Sequence, residues 1–522
     1  MPPSREVEVK MELPAHSLAK VTRSLVGPVT TKVAATPAKL VSVYFDTKKL
    51  KLRKKGLSLR VRHIGRRHVQ TIKQNGFEGT GPLIGKEWER DVGGAEPDLD
   101  AARETALEPL LGKKLRRGLR PVFAKRVHRR IYPIHGETAE VDLILDKGTI
   151  EAGRRSSPVC EVELELKSGD EAELFKIARE LAEEVPVQLA VMSEAERGYR
   201  LAGGDETGAV KTAPVALTPR LDVQRAFQAI AGACLRQLAA NIPVMRADDP
   251  EGLHQTRVAL RRLRTAISLF ASMLGDTQTE AVKAELKWIT GELGPARELD
   301  VFVSRLVMSL PGGKRRGGVA ILIRDLRQRR KGAFKRARAA VDSTRFRRLV
   351  VDTMTWIEVG DWRNNAQDCA RSLRQRTIAE AGGDELRRRW KKILKNGKHM
   401  GRFDPQRRHM LRIQAKKLRY ASEFFAAAFP EGKQARLLKR FLGELKGLQD
   451  ALGDLNDIVV HEGLAERLID ERDGRGTRHR AAIREAFAAG RLSGREEARM
   501  AYVLKKAERA YAAFAKTKPF WT

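Results

Sequence analysis

The chain has 522 residues and a formal net charge of +35. That length exceeds one ordinary core and predicts about three or four units of roughly 100 to 200 residues each, while the charge calls for a polyanionic partner: nucleic acid, an anionic membrane surface or inorganic polyphosphate. Cys160, Cys234 and Cys369 are too few and too scattered for a disulfide framework or a thiolate zinc site. With no apolar signal-peptide core and no run approaching the ~20 apolar residues that cross a bilayer, a cytoplasmic protein is expected.

The charge is uneven: residues 1–210 hold 37 Lys and Arg against 31 Asp and Glu, leaving 64 against 35 in residues 211–522. Two kinds of chemistry follow. The N-terminal part reads as short alternating runs, "EVEVK", "VSVYFDT", "LSLRVRHI", "HVQTIK", "KEWERDV", "HRRIYPI", "AEVDLILD" and "CEVELELK", separated by glycine and charged turns. These predict an α+β unit built on about eight antiparallel strands in a barrel or strongly curved sheet. Two stretches have helical spacing instead, "DLDAARETALEPLLGKKL" and "DEAELFKIARELAEEV", each with an acidic first turn.

Residues 204–218 are rich in Gly, Thr, Ala and Pro without periodicity and read as a linker between residues 1–203 and 219–515. The remainder is helical and contains an internal repeat. "HQTRVALRRLRTAISLF" (254–270) returns as "HMLRIQAKKLRYASEFF" (409–425), and "LGPARELDV" (293–301) returns as "LGDLNDIVV" (452–460). The offsets, 155 and 159 residues, imply two homologous helical bundles related by a pseudo-twofold axis.

In "EVEVK", Glu6, Glu8 and Lys10 share one strand face, and Val7 and Val9 the other. One such strand fits a half-solvated sheet. Here the pattern recurs with both signs: Arg60, Arg62, Lys73, Glu87, Glu89, Glu140, Asp142, Glu161, Glu163 and Glu165. If the apolar faces pack outward, the charges line a polar lumen, where both signs are costly unless paired or coordinated. Carboxylates suit Mg²⁺ or Mn²⁺, while Lys and Arg suit phosphoryl oxygens. Together they point to phosphoryl transfer, with hydrolysis the natural reaction.

"EVEVK", "YFDT" (44–47), "LRVR" (59–62) and "CEVELELKSGD" (160–170) resemble the CYTH superfamily of triphosphate tunnel metalloenzymes over residues 1–203. The resemblance implies a catalytic wall of Glu6, Glu8 and Lys10. It implies that Glu6, Glu8, Glu161 and Glu163, with Asp142 nearby, bind one or two divalent cations. Lys10, Arg60, Arg62 and Lys73 would hold the triphosphate, joined by an arginine of the later basic strand, where the spacing favours Arg129 and Arg126 and Arg130 are alternatives. One departure from the family's R-x-E-x-E strand is Gly85 in the arginine's place; Lys86 lies on the opposite strand face.

On a helix, His254, Arg257, Arg261 and Arg264 form a cationic stripe about 15 Å long, repeated by His409, Arg412, Lys416 and Arg419. Like charges at this spacing repel by a few tenths of a kcal/mol per pair. A solvated face explains one copy, but two copies bearing the same cost favour a polyanion site. With no cysteine or carboxylate cluster nearby, the histidines read as phosphate donors and not as metal ligands. The repeat, with "LKGLQDALGDLND", resembles the CHAD domain, which implies two four-helix bundles with a basic face that binds inorganic polyphosphate. The basic segment 312–340 fits either that role or a solvated helix.

The expected protein hydrolyses inorganic triphosphate with Mg²⁺ or Mn²⁺ in the tunnel and binds polyphosphate on its helices, in association with polyphosphate granules. The alternatives are an adenylate cyclase or thiamine triphosphatase of the same superfamily, or a non-enzymatic polyphosphate scaffold. With 6% aromatic residues and no interleaved basic and aromatic motif, nucleic acid is not expected as a specific partner.

Overall fold

The computed structural model describes residues 7–23, 36–74, 86–204, 208–309, 318–429, 432–473, 494 and 499–521. Its N-terminal part is one antiparallel sheet of nine strands: β1 (Glu8–Glu12), β2 (Thr36–Thr47), β3 (Leu57–Ile64), β4 (Arg67–Gln74), β5 (Lys86–Val92), β6 (Leu119–His135), β7 (Ala139–Ala152), β8 (Arg155–Gly169) and β9 (Gln188–Leu189). The order is β5-β4-β3-β2-β6-β7-β8-β1-β9. The eight alternating runs are β1 to β8; the two-residue β9 is too short to leave a period in the sequence.

The sheet curls on itself. Lys10 on β1 and Arg60 on β3 are five strands apart, which in a flat sheet means about 24 Å. Both nevertheless reach the carboxylate of Glu194, at 3.5 and 3.4 Å. The alternation sets which face turns inward. Val9, Met11, Leu143, Val162 and Leu164 are buried on the outer side with the apolar face of the helix that follows β8, so the charged residues of these strands are left to line the lumen.

Three single-turn helices, α1 (Leu18–Val21), α2 (Lys51–Lys54) and α3 (Lys113–Arg116), decorate the sheet, followed by α4 (Glu171–Glu184) and α5 (Glu194–Gly203). Asp170 caps α4 by accepting from Ala172 N–H at 2.9 Å. The stretch 98–115, expected to be helical, is mostly turns ending in a short 3-10 turn at Glu108–Leu110 and then α3. Pro109 and the left-handed Glu104 (φ 64°) interrupt it, while Leu99, Ala102, Leu107 and Leu115 still cover the outer face of β3 and β4. Helix α5 packs among inward-facing residues: Ala195, Tyr199 and Leu201 lie with Leu40, Tyr44, Phe123, Val127, Ile150 and Val159. Gly198 permits this, since a Cβ there would meet the Phe123 ring at 2.0 Å.

The C-terminal part comprises α6 (Val223–Arg246), α7 (Pro250–Leu269), α8 (Thr277–Glu292), α9 (Gly294–Ser309), α10 (Gly318–Asp342), α11 (Thr344–Val359), α12 (Asp368–Gln375), α13 (Ile378–Gly397), α14 (Pro405–Phe425), α15 (Lys433–Asp473) and a helical stretch at 499–515. The repeated helices are α7 and α14. Each opens with a capping aspartate followed by proline: Asp249 accepts from Glu251 N–H at 2.8 Å, and Asp404 from Arg407 N–H at 2.7 Å. The copies diverge at the second motif. Pro295 falls at the start of α9, where a missing N–H is tolerated, and the chain breaks there into two helices; Asp454 at the matching place lets α15 run through without interruption. The apolar core is continuous from β1 into α6, α7 and α11, and Arg179–Asp352 (3.0 Å) and Arg348–Glu183 (3.3 Å) pair α4 with α11. Among the described residues, no helix is long and apolar enough to cross a membrane.

Candidate active site and cationic helical face

The lumen is a lattice of alternating charge centred on Glu194, the first residue of α5. Its carboxylate lies 2.6 Å from Lys125 Nζ, 3.5 Å from Lys10 Nζ and 3.4 Å from Arg60, and it accepts from the Tyr44 hydroxyl at 3.1 Å. Burial opposes its ionisation, but Lys125, Lys10 and Arg60 hold it well below the usual carboxylate range. Ser193 places it there by capping α5 through Glu196 N–H at 3.2 Å.

Asp146, Glu161 and Glu194 are buried, with oxygens all within 4.8 Å of one another. Lys125 Nζ sits among them, 3.0 Å from Asp146 and 3.3 Å from Glu161. Burial disfavours its charge, yet the three carboxylates raise its affinity for the proton. A cation thus already occupies the carboxylate triangle. Three convergent hard oxygen donors are also a set that suits Mg²⁺ or Mn²⁺, so the carboxylates fit a divalent ion that takes the place Lys125 Nζ fills here.

Beside this triangle, burial first, then the hydrogen bond to Glu163, pushes Glu8 up to about 9. Glu163 is driven the other way, because Lys10 at 3.2 Å, the Glu8 bond and Arg129 at 3.7 Å outweigh its burial. The opposite wall is basic. Arg60 faces Glu87 at 3.4 Å and Glu89 at 3.7 Å, Lys73 pairs with Glu87, and Arg62 donates to Ser42 Oγ at 3.2 Å. Burial and the neighbouring Arg60 lower the Arg62 pKa.

The residues expected from sequence fall as follows. Glu8, Lys10, Arg60, Arg62, Lys73, Glu161 and Glu163 share this lumen. Of the three arginine alternatives, Arg129 enters it, donating to Asp146 at 2.8 and 2.9 Å; Arg126 pairs outside with Glu151 at 3.1 Å, and Arg130 is exposed. Asp142 stands apart from the triangle, 3.4 Å from Lys167. Glu6 and Gly85 lie outside the described residues. Lys125, Asp146 and Glu194 were not among the expected residues. Lys125 and Asp146 were within reach of the same parity rule, each four residues from a named one on its strand, whereas Glu194 depends on where α5 inserts.

On the helices, Arg257 and Arg261 lie together with His254 and Arg297, the last supplied by the second motif. Burial, with Arg261 and Arg297 adding to it, pushes Arg257 down to about 10; burial and Arg297 also lower His254. Arg257 donates to Thr290 O at 3.1 Å, and among the described residues Arg261 Nε is buried without a hydrogen-bond partner. From α14, Lys416 joins this group between Arg412, Arg261, Arg419 and Asp457, and burial followed by Arg412 and Arg261 pushes it down to about 7. His409 instead bonds Asn456 through Nδ1 at 2.5 Å. Arg264 is exposed and sits near Lys417, whose pKa burial, Arg389, Arg264 and Lys392 lower.

Two family descriptions cover most of the chain: residues 4–199 match the CYTH domain and residues 229–466 the CHAD domain. The chain is a CYTH domain followed by a CHAD domain. The inorganic triphosphatase of Haemophilus influenzae is 28% identical over 173 residues, 31% of this chain; the match spans about half, 46%, of that relative. Among solved structures, the CHAD domain of the plant Ricinus communis is 26% identical, covering 59% of this chain and 97% of that one at a TM-score of 0.49. An adenylyl cyclase candidate from Hippeastrum, described as having a dominant triphosphatase activity, is 17% identical over 37% of this chain and 95% of its own, at a TM-score of 0.28.

Proposed function

We propose that the CYTH domain hydrolyses inorganic triphosphate with Mg²⁺ or Mn²⁺ and that the CHAD domain binds inorganic polyphosphate. The observation carrying this reading is the meeting, in one lumen, of a buried carboxylate triangle that suits a metal and a ring of Lys and Arg donors that suit phosphoryl oxygens. The similarity to an inorganic triphosphatase supports it. Asp146, Glu161 and Glu194, with Glu8 and Glu163 beside them, would hold the divalent ion, which supplies charge neutralisation on the phosphoryl oxygens and orientation of water. Lys10, Arg60, Arg62, Lys73, Lys125 and Arg129 then bind and align the triphosphate. Arginine does so in a bidentate fork. Attack of water at a terminal phosphorus breaks its bond to the bridging oxygen, which leaves with the electron pair as pyrophosphate. The cations stabilise the charge that gathers there.

In this reading, Arg257, Arg261, Arg297, Arg412, Lys416 and Arg419 carry polyphosphate binding, with His254, His409 and Arg264 at its margins, and the domains span 1–203 and 219–515 with a linker at 204–218. A cytoplasmic protein associated with polyphosphate granules is part of the same proposal. The test is phosphate release from triphosphate, ATP and long-chain polyphosphate, each with and without Mg²⁺. Metal-dependent release mainly from triphosphate is expected. Absence of release from all three would leave the tunnel as a binding or cyclising site.

A further inference from the structure

We infer that the helical domain is a working part of the tunnel, with Gln188 and Arg246 as positioning residues for Glu194 and Lys10. The inference rests on the proposed metal site for its Mn²⁺ arm and on the hydrolase reading for its activity arm. Strand β9 carries the link. On one side it pairs with the catalytic wall: Met11 lies opposite Leu189, Glu12 opposite Gln188, and Ala190 N–H donates to Lys10 O at 2.9 Å. On the other side it is gripped by α6. The Gln188 amide donates to Ala239 O at 3.4 Å and accepts from Arg246 Nη1 at 2.5 Å, while Arg246 Nε donates to Asp342 Oδ1 at 2.6 Å at the end of α10.

A two-residue edge strand is far shorter than the strands that ordinarily hold their own register. The grip from the helical domain therefore fixes where β9 lies along β1. Downstream, a short loop leads from Ala190 to Ser193, the cap of α5, and to Glu194 at the centre of the lumen. Displacement of Gln188 is thus passed to the backbone of Lys10 and to the carboxylate that meets Lys125, Lys10 and Arg60. Helix α11 also packs on β9 and Leu189 lies in the shared apolar core, but the Arg348–Glu183 pair joins α11 to α4 and not to β9.

The test uses the full chain and reads Mn²⁺ affinity directly, for example by the paramagnetic signal of free ion, beside triphosphate turnover. Arg246→Ala and Gln188→Ala should each weaken Mn²⁺ binding and lower turnover by roughly tenfold, the scale expected when catalytic groups shift by a fraction of an ångström. Arg246→Lys should restore part of both. Arg348→Ala, a loss from the same domain interface away from β9, should leave both unchanged. If Arg246→Ala and Gln188→Ala bind Mn²⁺ as the unmodified chain does, or if Arg348→Ala weakens binding equally, the positioning role is overturned. If the unmodified chain releases no phosphate while Mn²⁺ binding still weakens in the two variants, the coupling stands and the hydrolase reading falls.

Discussion

The tunnel and the helical face both gather cations, but their electrostatics run in opposite directions. In the tunnel, burial of Lys10, Arg60, Lys125 and Arg129 is outweighed by nearby carboxylates, which hold these four more firmly charged than in water; Arg62 is the exception, lowered by burial and Arg60. On the helices, burial and like-charge neighbours act together, and Arg257, Lys416, Lys417 and His254 are all pushed down. The first arrangement is neutralised within itself and suits a guest of mixed sign, a metal with its phosphate. The second is only partly compensated, by Asp300 on Arg297, Glu423 on Arg419 and Asp457 near Lys416, and suits a guest that is anionic throughout.

The largest effect that separates them comes from Glu194→Gln. Removing one charge from the triangle leaves the Lys125, Lys10 and Arg60 charges without their shared partner and takes away a proposed metal donor. Triphosphate turnover should fall by about two orders of magnitude or more, with polyphosphate binding unchanged in a filter-binding or calorimetric titration. Equal loss of both activities would mean that the two regions are one site.

The converse variant is Arg261→Ala. Its side chain lies beside both Arg257 and Lys416, so it joins the cationic groups of the two copies. Losing one charge-assisted contact should weaken polyphosphate binding on the order of tenfold, with metal-dependent turnover retained.

How far sequence alone carries differs between the regions for the same physical reason. Strand parity alone assigns faces, so Lys10, Arg60, Glu161 and Glu163 could be read as one lining from "EVEVK", "LRVR" and "CEVELELK". Helix parity alone assigns a stripe, so Arg257 and Arg261, and their counterparts on α14, could be read together. What parity cannot supply is tertiary insertion. Glu194 sits in "SEAER", which looks like an ordinary capping sequence on an exposed helix, and only the seating of α5 against Phe123, allowed by Gly198, brings it into the lumen. The stretch around Glu108 erred in the opposite sense: its apolar spacing was real, but it serves to cover the sheet in turns, since Pro109 and the backbone at Glu104 prevent a continuous helix.

Acid–base behaviour sharpens the contrast further. Burial, Arg412 and Arg261 push Lys416 down to about 7, and a bound polyanion would favour its charged form. Below about pH 7 it is charged in both states, so its own contribution to affinity should be flat. Above it, binding must first restore the proton, and affinity should fall with pH, by at most tenfold per unit. Folding stability moves the other way: an unfolded lysine keeps its proton up to its ordinary 10.5, so the folded state binds fewer protons between about 7 and 10.5 and is favoured as pH rises through that window. Polyphosphate titrations in buffers of different ionisation heat should register the proton taken up at pH 8, and Lys416→Ala should abolish that uptake. An unchanged uptake in the variant would assign the proton to another group.

The smallest effect is expected at Arg264. Spacing along α7 makes it equivalent to Arg257 and Arg261, but it is exposed and its cationic neighbours lie toward Lys417, Arg389 and Lys392. An exposed charge is screened over about 10 Å at 0.1 M salt, so Arg264→Ala should change polyphosphate affinity less than threefold at that ionic strength. The difference from Arg261→Ala should narrow as salt is lowered and the screening length grows. An Arg264→Ala loss matching that of Arg261→Ala at 0.1 M salt would mean that the whole helix face binds as one stripe. A small loss that grows on dilution of the salt would instead place the binding contacts at the half-buried cluster where Arg261 meets Lys416, with Arg264 contributing only through the field at longer range.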